Sequence, residues 1–251
     1  MFERRRPQGG WMSHLKILGL VLTLTLIVRT VVAEPYVVPT GSMVPTLLAG
    51  DRILASKYPY GFSQYASPIG VMPTFAGRVL GAPPKRGDVV VFRLPIDAAT
   101  TYVKRVIGLP GERIEMRRGQ LYIDGERVPR RLVGPVTTQL GGRLVPLLHF
   151  VETLPNGREH DILKISDDQP LDNTGEFIVP PRSYFVMGDN RDDSLDSRVA
   201  ASAGGVGFVP EDNLVGRVDL VLFSRDPDVA SWDIPHWPGA VRGSRLLNAI
   251  R

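Results

Sequence analysis

Cysteine is absent from the 251 residues of this sequence, and there are only four histidines, His14, His149, His160 and His236. Without cysteine the chain can form no disulfide, thiolate metal site or cysteine nucleophile. No two histidines have the i, i+3 or i, i+4 spacing of a helical zinc site, so we expect no metal. None lies in a motif that would make it the base for a serine nucleophile.

The excess of one sign of charge is also small, since 30 basic and 26 acidic residues leave a net charge of +4. This mild excess suits anionic lipid or nucleic acid and decides nothing alone. The hydrophobic and charged fractions, 43% and 22%, are ordinary for a globular protein. The length suits one domain with an appendage.

The N-terminus carries the longest apolar stretch. Residues 15–33 form an apolar stretch that Lys16 and Arg29 interrupt, and three arginines at 4–6 precede it. About 17 to 25 residues span a bilayer, and Lys and Arg near the ends can reach its interface. A cleaved signal peptide is the alternative, because Val31-Val32-Ala33 is an acceptable cleavage site.

An uncleaved segment predicts a single-pass topology. By the positive-inside rule, residues 1–14 form a cytoplasmic basic N-terminus and residues 15–33 a transmembrane anchor. Residues 34–251 then form an extracytoplasmic β-rich domain.

Beyond the apolar stretch, short runs rich in Val, Ile, Tyr and Phe alternate with glycine and proline, and no internal repeat is present. The 22 prolines and 26 glycines argue against long helices. We therefore expect a mainly β fold, an antiparallel sheet or barrel-like catalytic domain after the N-terminal transmembrane helix. The predicted strands are Arg52–Lys57, Asp88–Arg93, Tyr102–Leu109, Arg113–Met116, Gln120–Ile123, His149–Thr153, Asp161–Ser166, Tyr184–Gly188 and Leu214–Phe223, with hairpin turns at Arg118-Gly119, Asp124-Gly125 and Asn156-Gly157.

Three stretches lack a clear strand pattern. Ser67–Pro84 and Pro129–Leu148 are predicted to be surface loops. The tail Ser231–Arg251 combines Trp232 and Trp237 with several arginines. Such a mixture is typical of a membrane interface, but a closing strand with a solvated end explains it equally well.

Two segments suggest catalysis. In Val38–Leu47, a glycine and two prolines fix an irregular backbone around Ser42, whose hydroxyl needs a base to become a nucleophile. A turn whose serine caps another group is the alternative. In Tyr102–Glu112, Lys104 lies within a β-branched run and shares a strand face with Tyr102. Burial of that face, together with a cation such as Arg105, would lower the lysine's pKa; a solvent-facing lysine is the alternative.

Two further segments support a fold more than a reaction. Lys85–Phe92 is a basic turn that enters a buried strand. Tyr184–Arg198 runs from a strand into a loop dense in carboxylates and arginines, which favours internal ion pairs. A calcium loop is set aside, because no Glu stands twelfth from Asp189, Asp192 or Asp193.

These segments together resemble type I bacterial signal peptidases. The family has Ser-Gly-Ser-Met-x-Pro-Thr-Leu after an anchor, then three further boxes in a fixed order. The corresponding stretches here are Thr40–Leu47, Lys85–Phe92, Tyr102–Glu112 and Gly188–Arg198, followed by Gly207–Gly216. The chain departs in carrying Thr40 for serine, Glu112 for aspartate and one spanning segment where some members have two.

The resemblance implies a role for each matching residue. Ser42 corresponds to the nucleophile and Lys104 to the general base, while Thr40 and the Ser42 N–H correspond to the oxyanion hole. Ser194 corresponds to a serine that hydrogen-bonds and orients the lysine, beside Tyr102. The remaining matches are the loop-supporting Asp189, Asp196 and Arg198 and the pocket-lining Val38, Met43, Leu47, Tyr102 and Val103.

The implied function is cleavage of secretory preproteins after Ala-x-Ala sites by a monomeric, cofactor-free enzyme of the bacterial inner membrane, with a periplasmic catalytic domain. Its partners are preproteins and the lipid bilayer, not nucleic acid. The resemblance also favours the uncleaved anchor. The alternatives are a maturation peptidase for one secreted substrate, a self-cleaving regulator, and a membrane protein that binds signal sequences without cutting them.

Overall fold

The structure is a computed structural model that describes residues 10–65, 77–140, 143–229 and 234–250. Most of Ser67–Pro84 and Trp232 of the tail therefore lie outside the described residues. Helix α1 spans Gly10–Ile27, and a π-helical turn over Val28–Val32 joins it to the first strand. None of the helices in the described ranges is both long enough and apolar enough to cross a membrane.

The predicted anchor and the observed helix have different bounds. α1 begins ahead of Leu15, and Ala33 is the first residue of strand β1, where it pairs with Ser56. The apolar side chains of α1 are exposed along its length, from Trp11 to Ile27. Exposed apolar surface of this kind marks a site of association with a membrane or another protein.

The rest of the described chain is mainly β, as predicted. Its strands are β1 (Ala33–Val37), β2 (Asp51–Ser56), β3 (Val89–Leu94), β4 (Asp97–Gly108), β5 (Arg113–Arg117), β6 (Gln120–Ile123), β7 (Glu126–Arg127), β8 (Arg130–Leu140), β9 (Arg143–Thr153), β10 (Glu159–Lys164), β11 (Phe177–Ile178), β12 (Ser183–Met187), β13 (Val209–Pro210), β14 (Leu214–Ser224) and β15 (Asn248–Ala249). A short helix, α2, spans Trp237–Ala240, and single helical turns lie at Ala201–Ala203, Glu211–Asn213, Ile234–His236 and Gly243–Arg245.

Within the described residues these strands form three antiparallel sheets. The main sheet has eight strands, in the order β1-β2-β14-β3-β4-β12-β13 with β15 against β14. The second sheet has the order β10-β9-β8 and the third β11-β5-β6-β7. Because β4 lies between β3 and β12, the main sheet brings the Lys104 strand next to the strand that leads into the polar loop.

The middle of the main sheet is covered on both faces. Along β3, Val89 and Val91 pack into one hydrophobic cluster, while Val90 and Phe92 pack into the cluster on the other face. A strand buried on both faces has a continuous apolar sequence, which explains why β3 shows no alternation. The prediction that Lys85–Phe92 is structural is consistent with this packing.

Two hairpin turns have the predicted chemistry. Arg118-Gly119 joins β5 to β6 and Asp124-Gly125 joins β6 to β7, and all four residues have positive φ. Positive φ at both central positions is the requirement of a type I′ turn, which glycine meets without strain.

The prediction of a loop over Pro129–Leu148 was wrong, because most of this segment belongs to the long hairpin of β8 and β9. Side chains of β8 such as Leu132, Val133 and Val136 are exposed, so no buried face imposes an alternating pattern on the sequence. The tail is closer to the closing-strand interpretation, since β15 pairs with β14 at Leu220 and Val221.

Candidate active site

Ser42 lies in the turn between β1 and β2, which we call the nucleophile turn (residues 38–50). Backbone bonds close its base, from Val38 N–H to the Asp51 carbonyl and from Gly50 N–H to the Val38 carbonyl, both at 2.9 Å. The backbone is irregular where Ser42 stands, as the flanking prolines and glycine predicted. A nucleophile on such a closed turn is held in one position.

Lys104 reaches this turn from β4. Its Nζ donates a hydrogen bond to Ser42 Oγ at 2.5 Å, and the ring centroid of Tyr102 lies 5.8 Å from Nζ. The prediction that Tyr102 and Lys104 share one strand face is therefore confirmed. The fold unites two residues that are 62 positions apart in the sequence.

Burial changes the acid–base chemistry of Lys104. Only 4% of the residue is exposed, and no carboxylate of the described residues lies within ion-pair distance of it. Loss of hydration lowers its pKa from 10.5 to about 8, although the carboxylates of Asp196 and Asp189 act against this shift. The alternative of a solvent-facing lysine is wrong.

The cation that assists this shift differs from the predicted one. Arg198 contributes to lowering the pKa of Lys104. Arg105, the sequence neighbour, instead binds Asp189 with Nε and Nη2, each at 2.8 Å. Neighbouring strand residues point to opposite faces, so adjacency in sequence was the wrong guide.

The polar loop contains the internal ion pairs that its composition predicted. Asp189 accepts from Arg105 and from Thr46 of the nucleophile turn. Asp196 accepts from Arg198 and from the Gly188 N–H at 3.1 Å. Burial opposes ionisation of both aspartates, but the paired arginines prevail, so the pKa of each carboxyl lies below its usual range.

Thr40 stands beside the nucleophile at the predicted position. Its Oγ1 lies 3.4 Å from Ser42 Oγ, and the pair is exposed. A hydroxyl at this distance is close enough to a substrate carbonyl on Ser42 to donate to its oxygen.

Ser194 differs from the arrangement that the resemblance implies. Its Oγ is buried and makes no hydrogen bond with any described residue, so the expected bond to Lys104 is not formed in this structure. The neighbour of this hydroxyl is Gly188, where an added Cβ would lie 2.2 Å from Ser194 Oγ and 2.5 Å from the Ser42 carbonyl oxygen. Glycine is therefore required between Ser194 and the nucleophile turn.

The predicted pocket residues lie around the site in two groups. Val38, Met43 and Leu47 are buried in the hydrophobic cluster beneath the nucleophile turn, and Val103 packs partly exposed against that cluster. Tyr102 is partly exposed beside Lys104. The first three consequently form a floor under the site and expose little surface of their own.

Sequence reasoning missed Asn190. Its N–H donates to the Ser42 carbonyl at 3.1 Å, and its Nδ2 donates to the Gly41 carbonyl at 3.2 Å. Asn190 thus connects the polar loop to the nucleophile turn on either side of the reactive serine. The sequence feature that could have indicated this role is its position directly after Asp189.

A buried histidine lies behind the loop. His160 Nε2 is 3.5 Å from Glu152 Oε1, and Arg191 binds the same glutamate. Desolvation lowers the pKa of His160 to about 4, so the ring is neutral at pH 7. The groups that contact Nε2 of this ring are the side chains of Glu152 and Arg191.

Comparisons with known proteins identify the family of this chain. A family model described as "Signal peptidase, peptidase S26" matches residues 11–223. The chain is 42% identical to a signal peptidase I of Rickettsia typhi, over 92% of this chain and 90% of the relative. It is 41% identical to a signal peptidase I of Rickettsia canadensis, over 87% and 81% of the two chains.

A solved structure of a signal peptidase I from Enterococcus faecalis V583 is 25% identical to this chain. The match covers 54% of this chain and 97% of the other, with a TM-score of 0.32.

Proposed function

We propose that Ser42 and Lys104 form the catalytic dyad of this chain, which belongs to the signal peptidase family, peptidase S26. The chain is a serine endopeptidase that removes signal peptides from exported preproteins. The observation that carries the proposal is the 2.5 Å contact between Ser42 Oγ and the Nζ of a buried lysine with a lowered pKa. Such a dyad is a known variant of the serine protease arrangement.

The reaction begins when Lys104 is neutral. Its Nζ accepts the proton of Ser42 Oγ as that oxygen attacks the carbonyl carbon at the cleavage site. The tetrahedral intermediate collapses to a serine ester, and the protonated Lys104 gives its proton to the leaving amine. A water molecule, deprotonated by Lys104, then hydrolyses the ester and frees Ser42. The cycle is balanced without metal or cofactor.

The remaining site residues position these two. Thr40 Oγ and the Ser42 N–H stabilise the oxyanion, each as a hydrogen-bond donor. Asp189, Asp196 and Arg198 hold the polar loop against the dyad. Ser194 orients Lys104, and this role is supported by its buried hydroxyl, which has no hydrogen-bond partner among the described residues.

The preferred substrates carry small side chains at an Ala-x-Ala site. Val38, Met43 and Leu47 support this preference through their position, because they lie buried in the hydrophobic cluster beneath the nucleophile turn. Tyr102 and Val103 border the same surface. We also propose that the enzyme is a monomer.

The proposed location is the bacterial inner membrane, with residues 15–33 as the anchor and the catalytic domain outside the cytoplasm. The exposed apolar side chains of α1 support an association with lipid. Protease accessibility of the two ends in sealed membrane vesicles tests this: degradation of the catalytic domain from the cytoplasmic side would contradict the orientation.

The dyad is tested with a secretory preprotein that has an Ala-x-Ala site. The full chain in detergent or lipid is expected to cut once after that site, whereas Ser42→Ala and Lys104→Ala are expected to be inert. Matched folding of the variants is checked by circular dichroism. Comparable activity in Lys104→Ala would show that the base is misassigned.

Absence of cleavage by the wild type would favour one of the two alternatives. A maturation peptidase for a single substrate would cut its own partner but no general preprotein. A protein that only binds signal sequences would retain peptide binding in Ser42→Ala and show no turnover with any substrate.

A further inference from the structure

A cleft of about 940 Å³ opens beside the nucleophile turn, and the described residues that line it differ from those predicted to line the substrate pockets. One of its walls is the turn itself, through Thr40, Gly41, Val44 and Leu48. This volume lies within the range of ligand-binding clefts, roughly 300–1,000 Å³.

The nucleophile turn has two apolar faces that meet different neighbours. Val38 and Met43 face the cluster of the main sheet, while Val44 packs with Leu147 of β9 and Leu163 of β10. Ser42 stands between these faces. A peptide that crosses Ser42 with its residues before the cleavage site above Met43 therefore continues towards Val44 and the cleft.

The far wall of the cleft belongs to the β8–β9 hairpin. Thr138 and Val145 line it, and Val145 also packs against the Val44 cluster. The hairpin that sequence reasoning took for a loop thus completes a cleft whose opposite wall includes Thr40 and Gly41, the two residues before the reactive serine.

The rim of the cleft is acidic. Four carboxylates line it, those of Asp192, Asp193, Asp226 and Asp228, against one guanidinium, that of Arg242. Lys164 pairs with Asp192, and Arg242 donates to the Ala49 carbonyl. Asp193 and Asp228 are exposed, and no cation of the described residues forms an ion pair with either.

We propose that this cleft binds the first residues after the scissile bond, the N-terminus of the mature protein, and that Asp193 and Asp228 favour basic side chains there. The proposal rests on the proposed dyad. It adds a selectivity for side chains that follow the scissile bond, in the mature protein whose new N-terminal amine is the leaving group. Its basis is the position of the cleft against Thr40 and Gly41, which directly precede Ser42, together with the charge of the rim.

The test uses three preproteins that are identical except at the second to fourth residues after the scissile bond, which are Lys, Gln or Glu. At low salt the wild type is expected to cleave the Lys form with a kcat/KM roughly two- to fivefold above that of the Glu form. Asp228→Asn should reduce this ratio towards one, and 0.5 M salt should do the same in the wild type. Glu126→Gln, an exposed carboxylate on β7 away from the cleft, should leave the ratio unchanged.

Asp193→Asn provides a second measurement of the same ratio. Asp193 also acts on the charge of Lys104, but that effect cancels because both substrates meet the same enzyme. A Lys-to-Glu ratio of one in the wild type, or a ratio unchanged in both Asp variants, would overturn the proposal. Cleavage of the Gln form reports on the dyad separately, since its loss would contradict the proposed function and not the cleft.

Discussion

Lys104 and Lys164 are both withdrawn from solvent, with 4% and 0% of their surface exposed, but they contact different groups. Lys164 Nζ lies 2.6 Å from Asp172 Oδ1 and 2.9 Å from Asp192 Oδ1. Lys104 Nζ contacts the Ser42 hydroxyl. A buried ammonium is costly unless a carboxylate compensates it, so Lys164 has what Lys104 lacks.

The carboxylates that act most strongly on the pKa of Lys104 are paired with other cations. Asp189 is bound by Arg105 and Asp196 by Arg198, in buried pairs at 2.8 Å. Each arginine offsets much of the attraction that its aspartate would exert on the lysine. Burial alone therefore does not make a lysine a base. A buried lysine becomes one when arginines already neutralise the carboxylates beside it.

The largest expected effect comes from replacing the uncompensated lysine. Lys104→Met should reduce kcat/KM by at least about 10³-fold, because the base is lost. The same variant should melt higher at pH 7, since a pKa of about 8 against 10.5 corresponds to about 3 kcal/mol of unfavourable burial. The folded wild type bears this penalty only while Lys104 is protonated. The difference in melting temperature between the variant and the wild type should therefore shrink as the pH rises from 8 to 10.5.

Preprotein cleavage and thermal melting of the same samples measure both parts of this prediction. Lys85→Met, at an exposed lysine, is the matched control and should change neither. A lower melting temperature for Lys104→Met at pH 7 would mean that the lysine is charged and compensated in the folded protein.

Replacing the compensated lysine should act in the opposite direction on stability. Lys164→Met leaves Asp172 and Asp192 buried without their cation, which typically costs about 3–5 kcal/mol. For a chain of this size the melting temperature should fall by roughly 10 °C. Thermal melting by circular dichroism measures this fall. An unchanged melting temperature would show that the two carboxylates do not depend on Lys164.

The pH dependence of the reaction follows from the uncompensated lysine alone. The neutral lysine is the active form, so kcat/KM should rise about tenfold per pH unit below 8 and level off above it. Initial rates at constant ionic strength from pH 6 to 10 test this, with melting curves at each pH to exclude unfolding. An apparent pKa near 10.5 would contradict the role of burial.

Much of the site was predictable from the sequence, because each of the four motif segments lies on a single strand, turn or loop, or on a strand and its adjoining turn. Ser42 on an irregular turn and Lys104 on a strand face with Tyr102 follow from glycine, proline and period-two patterns. Runs rich in Val, Ile, Tyr and Phe also predicted most of the strands of the main sheet, with ends that differ by a few residues. Roles beyond these contacts came from the resemblance.

The rest depended on contacts between distant segments. The Lys164–Asp172–Asp192 cluster joins β10 to two loops, and no periodic pattern marks a buried ion pair. Asn190 acts through its backbone and amide on a turn 149 positions away, at Gly41. The β8 strand is exposed on both sides, so its sequence lacks the burial signal on which strand prediction depends.

The smallest expected effect concerns a carboxylate that remains exposed near Lys104. Asp193 raises the pKa of Lys104 through its charge, so Asp193→Asn should move the kcat/KM profile to lower pH by a few tenths of a unit. Solvent screens an exposed charge, so the shift should disappear in 0.5 M salt. Glu126→Gln is the matched control, because it removes a carboxylate from β7 without approaching the dyad. No shift at low salt would show that Asp193 does not act on Lys104, and a shift to higher pH would contradict the sign of its effect.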